Sequence, residues 1–124
     1  MKETVAEILK EMSKYSTRPV AEIVKERGDH FRYPVYMSEA FMNTPLEDME
    51  LSARAHHCLQ RASYKTIGDV VSRIEGKADL LKIRNMGKLS ANEVMIGLCC
   101  FQYSMLNEER KEQFVKRVLE LNGV

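Results

Sequence analysis

The chain has 124 residues, 44% of them apolar and 30% charged, with a net charge of only +1, no Trp and three prolines. That suits one compact, helix-rich domain with a real core and an added arm. The longest apolar run, Val94 to Phe101, contains Gly97 and falls well short of the roughly 20 residues of a membrane span. The acid-bearing opening MKETVAEILKEMSK lacks the apolar block of a secretory signal, so a cytoplasmic protein is expected with Cys58, Cys99 and Cys100 reduced.

In sequence order, Val5, Ile8, Leu9 and Met12 follow the i, i+3, i+4, i+7 spacing of one apolar helix face. A second short helix is predicted over 19–27, with Thr17 near its start and Gly28 past its end. Val20, Ile23 and Val24 would face inward. Residues 29–43 concentrate Phe31, Tyr33, Tyr36 and Phe41 around Pro34 and read as an irregular connection with a helical turn at 38–42. These aromatics are expected to pack the arm onto the body.

From Thr44 the helical signals return. Pro45 opens a turn at PLEDM, and Ser52 is a suitable N-cap for ARAHHCLQRA with its Ala55, Cys58, Leu59, Ala62 stripe. Thr66 can cap IGDVVSRI, and a further short helix covers ADLLKI. After Asn85-Met86-Gly87 a long helix is expected from about 88–90 to near Met105, with Val94, Leu98 and Phe101 inward. Ser90 and Glu93 would form its capping box. Asn107 interrupts, and a last amphipathic helix from Glu108 to Leu121 uses Phe114, Val118 and Leu121 before ending at Asn122-Gly123. The predicted fold class is all-α: a compact bundle of short helices with a helix–hairpin–helix-like motif, an N-terminal helical arm and an extra C-terminal helix. The division predicted is an arm over 1–43 and a domain over 44–124.

Charge is unevenly placed. Residues 51–92 hold eight basic side chains against three acidic ones, a net of +5, between flanks of −3 and −1. Such a centre can attract a polyanion, although for charge alone a solvated helix surface is the better reading. Within it lies IRNMGKLSANEV. Gly87 permits a sharp turn and close approach of another molecule. The helix start that follows offers unpaired N–H groups, and Lys88 adds a full positive charge. Taken by itself, this hairpin serves equally well as a bend between helices or as a phosphate seat.

The segment from Thr44 to Gly97 resembles the C-terminal domain of the bacterial RNA polymerase alpha subunit. The resemblance runs through P-L-E-D-x-x-L-S, L-S-x-R-x-x-x-C-L, T-I-G-D-V-V and D-L-L-K-I-R-N-M-G-K-x-S-x-x-E, with a small insertion near Gly76-Lys77. It implies a helical fold that binds A·T-rich promoter DNA through the minor groove and meets RNA polymerase or transcription factors. Arg54 then resembles the groove-inserted arginine, Cys58 a position beside the DNA backbone, and Asn85, Gly87 and Ser90 the phosphate-contacting hairpin. His57 stands where the family has an asparagine, Leu89 where it has a second hairpin lysine, and Gln60 where it has another basic residue. Fewer cations imply weaker, less salt-dependent binding, while His57 can still donate a hydrogen bond. The sequence is too short for the subunit's large N-terminal domain, so a standalone relative is expected. The rival reading is a protein-interaction module that keeps this fold, using Leu89 and the aromatic arm.

No catalytic residue, metal or cofactor is predicted. His56, His57 and Cys58 are helix neighbours that point in different directions, His30 is isolated, and no paired-carboxylate or nucleophile–base motif stands out.

Overall fold

The computed structural model describes residues 5–124. Eight α-helices occur among them, with short 3-10 turns and no strand beyond one isolated bridge between Pro45 and Thr66. Backbone proximity divides the protein into two units, one formed by residues up to Val35 together with Cys99–Val124, the other by Tyr36–Leu98.

In the first unit, α1 (Val5–Met12) buries Ile8, Leu9 and Met12 and leaves Val5 exposed. It packs against α2 (Val20–Arg27) and α8 (Glu108–Leu121). The start of α2 is tied down by Ser13, not by Thr17: Ser13 Oγ donates to Leu9 O and accepts from Val20 N, both at 2.9 Å. Gly28 ends α2 with a φ of +52°, a conformation that suits glycine. Asn107 caps α8 by accepting from Arg110 N at 2.9 Å. At the other end of α8 the buried Asn122 side chain accepts from Arg32 N at 3.0 Å and donates to Arg32 O at 2.8 Å. Gln102 donates to Pro34 O at 2.8 Å. Two buried polar side chains thus hold a connection that has no regular ladder of its own and find their own partners on its backbone.

In the second unit, Ser38 caps α3 (Glu39–Met42), whose Phe41 is buried. Pro45 leads into a 3-10 turn over Leu46–Met49, and Ser52 caps α4 (Ala53–Arg61). Thr66 begins α5 (Ile67–Arg73) through a reciprocal capping box with Asp69. Gly68 lets α5 press onto α3, because a Cβ there would stand 2.6 Å from Met42 O. The helix α6 covers only Lys77–Leu80; the backbone then turns through Ile83 and Asn85 instead of continuing helically to Ile83. A long helix, α7 (Lys88–Ser104), follows. Leu46, Leu59, Ile67, Val70, Leu80 and Val94 are fully or almost fully buried, each removal from water being worth about 1.5–3 kcal/mol.

Candidate nucleic-acid interface

The interface is assembled from α4, the turn at 83–87 and the first turns of α7, all within residues 36–98. On α4 the positions 54, 58 and 61 follow i, i+4, i+7 spacing and share one helix face. Arg54 and Arg61 are exposed, whereas Cys58 between them is buried. The Cys58 thiol donates to the carbonyl of Asn85 at 3.4 Å, so this face of α4 lies against the hairpin. His57 is exposed, one helical step from that face, with its ring centroid 6.3 Å from that of the half-buried His56.

Asn85, not Gly87, takes the left-handed conformation that turns the backbone, with a φ of +67°. Asparagine is among the few residues that enter this region readily. Gly87 has no positive φ, and a Cβ built there would meet nothing within 4 Å. Its carbonyl accepts the first helical bond of α7, from Ala91 N at 2.9 Å. Gly87 is therefore the half-helical residue before α7, and the N–H groups of Lys88, Leu89 and Ser90 form the open end of the helix. Lys88 is exposed beside this end, Leu89 is 89% exposed, and Ser90 is buried.

The expected capping box between Ser90 and Glu93 does not form. Glu93 reaches instead to α4, where its two carboxylate oxygens accept from Ser52 N and Ser52 Oγ, each at 2.7 Å. Ser52 Oγ in turn accepts from Ala55 N at 3.3 Å. One acid of α7 thus secures the start of the helix that carries Arg54. A charged acceptor serving two donors on another helix replaces the single backbone donor that a local box offers.

A depression of about 400 Å³ lies between α4 and the hairpin, lined by Cys58, Arg61, Ala62, Ile83, Arg84 and Asn85. Sequence reasoning did not single out Arg61 or Arg84 as site residues. Their signal was present in the +5 segment, but 23 positions separate them along the sequence. Elsewhere in this unit Arg73 is placed over the Tyr64 ring at 4.9 Å. Among the described residues Arg54, Arg61 and Arg84 have no acidic partner. No group of three or more His, Cys, Asp or Glu side chains that could hold a metal occurs among the described residues. No helix there is long and apolar enough to cross a membrane.

The family model for the C-terminal domain of the bacterial RNA polymerase alpha subunit matches residues 36–98, the same stretch that forms the second unit. The protein belongs to this family. The RNA polymerase alpha C-terminal domain thus occupies a whole unit of the fold, and the resemblance from Thr44 to Gly97 extends to include α3. Similar proteins include the DNA-directed RNA polymerase alpha subunits of Carboxydothermus hydrogenoformans, 39% identical over 57% of this chain and 22% of that one, and Chlorobium luteolum, 41% identical over 56% and 20%. The alpha subunit of Symbiobacterium thermophilum is 33% identical over 68% of this chain and 24% of that one. The match therefore spans about a fifth to a quarter of the length of these curated relatives. No solved structure matches. Within the alpha C-terminal domain, Arg54, His57, Cys58, Asn85, Gly87, Lys88 and Ser90 lie on three pieces of one unit, α4, the hairpin and the start of α7.

Proposed function

We propose that residues 36–98 are a non-catalytic DNA-binding module of transcription, which grips A·T-rich duplex through the minor groove and the phosphate backbone. The observation that carries this reading is the Cys58 thiol on the Asn85 carbonyl, which sets the arginine-bearing face of α4 beside the hairpin. Arg54 enters the groove, where a narrow A·T minor groove concentrates negative potential. Lys88 and the N–H groups after Gly87 take a phosphate oxygen. His57 and the Asn85 amide donate hydrogen bonds at the edge, and Cys58 holds the two elements together. Ser90 contributes its backbone N–H. The relatives are subunits of a DNA-directed RNA polymerase, which supports contact with that enzyme or with a transcription factor and a place in the cytoplasm.

Fluorescence anisotropy with labelled A·T-rich and G·C-rich duplexes, at low and moderate salt, tests the reading. Binding is expected at low salt, stronger to A·T-rich DNA, and weakened at least tenfold in Arg54→Ala. Absence of binding at low salt, or equal binding by Arg54→Ala, overturns it.

The exposure of Leu89 at the tip of α7 favours a second reading, a protein-interaction surface on the same fold. Its mark is co-purification of polymerase or a regulator that survives Arg54→Ala and fails in Leu89→Ala.

A further inference from the structure

The depression bounded by Arg61 and Arg84 has a role that the groove contact of Arg54 does not cover. Both arginines are exposed at its rim, and neither has an acidic partner among the described residues. Three other arginines are engaged, Arg18 with Glu26 at 2.6 Å, Arg117 with Glu120 at 3.0 Å and Arg73 over Tyr64, and what sets Arg61 and Arg84 apart is that they border one depression. A guanidinium is a planar fork of donors suited to phosphate, and two of them bordering one concavity attract an anion more strongly than either alone. The Asn85 carbonyl, which would repel an anion, is already occupied by the Cys58 thiol, while the Asn85 amide is free to donate. The volume of about 400 Å³ accommodates a sugar–phosphate unit.

Position also fits. Arg61 follows Arg54 by seven residues on the same face of α4, about 10 Å along the helix axis. That is the rise of about three base-pair steps.

We propose that this depression is a second phosphate seat, in which Arg61 and Arg84 hold a DNA backbone phosphate about three steps from the point where Arg54 enters the groove. The proposal rests on the DNA-binding reading above and extends its footprint beyond the glycine hairpin. A phosphate contact carries no base information, so it contributes equally on any duplex.

The test is the salt dependence of duplex binding by the full-length protein, with wild type, Arg61→Ala, Arg84→Ala, Arg61→Lys and Arg54→Ala compared, and Arg117→Ala as a control away from the seat. Loss of one phosphate contact lowers the slope of log K against log salt by about 1. Arg61→Ala and Arg84→Ala are each expected to show that drop and to weaken A·T-rich and G·C-rich duplexes by the same factor. Arg61→Lys restores most of the slope, and Arg117→Ala leaves it unchanged. An unchanged slope in both alanine variants, with binding still dependent on Arg54, overturns the seat and leaves the DNA reading standing. Wild type that fails to bind any duplex overturns both. A parallel titration with inorganic pyrophosphate, followed by the arginine side-chain NMR signals, separates the sources of phosphate. If pyrophosphate shifts Arg61 and Arg84 while duplex does not, the seat belongs to a free polyphosphate and the proposal fails.

Discussion

Glu93 of α7 holds both hydrogen-bond donors of Ser52, its backbone N–H and its hydroxyl, at 2.7 Å each. The hydroxyl that donates to this carboxylate also accepts from Ala55 N, so the acid strengthens the cap by polarising it. Two residues later in the sequence stands Arg54. Glu93 is thus a negative charge near a proposed polyanion interface that nevertheless helps to orient it.

That relationship gives a prediction with opposed signs. Electrostatics alone says that Glu93→Ala should raise duplex affinity, since it removes a like charge. The structure says that it frees the start of α4, at a cost near that of losing an N-cap, about 1 kcal/mol. Urea denaturation is expected to show that loss, and anisotropy a several-fold fall in affinity. A rise in affinity would mean that the tie does not position Arg54.

The hairpin separates conformation from contact. Asn85 carries the positive φ, so Asn85→Val is expected to destabilise by about 1–2 kcal/mol, the usual cost of a left-handed residue, while Asn85→Gly stays close to wild type. Gly87→Ala meets neither a strained φ nor a neighbour. It should leave stability equal or raise it by up to about 1 kcal/mol through the unfolded state. Duplex affinity is expected to fall in Gly87→Ala all the same, because the space around Gly87 is where a phosphate would approach. Thermal melts and titrations of the three variants check both halves.

Much of this architecture is legible in the sequence wherever the cause is local. Ser52, Thr66 and Asn107 each cap the helix that follows them, and Pro45 opens the turn before Leu46. The family motifs led to the right unit for a related reason, since the spacing from Arg54 to Glu93 lies wholly inside it. What escaped was decided by competition across the fold. The S-x-x-E pattern at 90–93 is a genuine local option, but Ser52 offers Glu93 two donors and wins. Gly87 looks like the turn residue because glycine tolerates any φ; the turn falls on Asn85, whose carbonyl is anchored by Cys58. Arg61 and Arg84 come to border one depression only when α4 folds against the hairpin, which no periodicity reveals.

Gly68 has a requirement of a different kind. Alanine there would gain about 1 kcal/mol of helix propensity, yet its Cβ would collide with the backbone oxygen of Met42 at 2.6 Å. Backbone cannot swing aside as a side chain can, and overpacking of this type typically costs about 1–3 kcal/mol. Gly68→Ala should therefore lower the urea midpoint despite the better helix former. An unchanged midpoint would mean that α3 moves away from α5 at no cost.

Part of the acid sensitivity should trace to Asp69, one of four carboxyls held below their ordinary values with Glu26, Asp79 and Glu108. Hydrogen bonds from the backbone N–H groups of Lys65 first and Thr66 second hold its carboxyl below the usual 3.8. A depressed folded pKa means stabilisation that is complete above the unfolded value and disappears as pH falls through the folded one. The difference in stability between wild type and Asp69→Asn is expected to be largest near neutral pH and to shrink as pH drops below 3.8. Urea midpoints across the acid range measure it, and a difference independent of pH would contradict this assignment.

The central claim, that the Arg54 face of α4 and the hairpin receive DNA together, is tested most directly by NMR titration of the isotope-labelled protein with an A·T-rich duplex at low salt. The backbone signals of Arg54, His57, Asn85, Gly87 and Lys88 and the side-chain signal of Arg54 are predicted to move together along one saturation curve. Shifts confined to α1, α2 and α8, or a hairpin that responds while Arg54 does not, would contradict it.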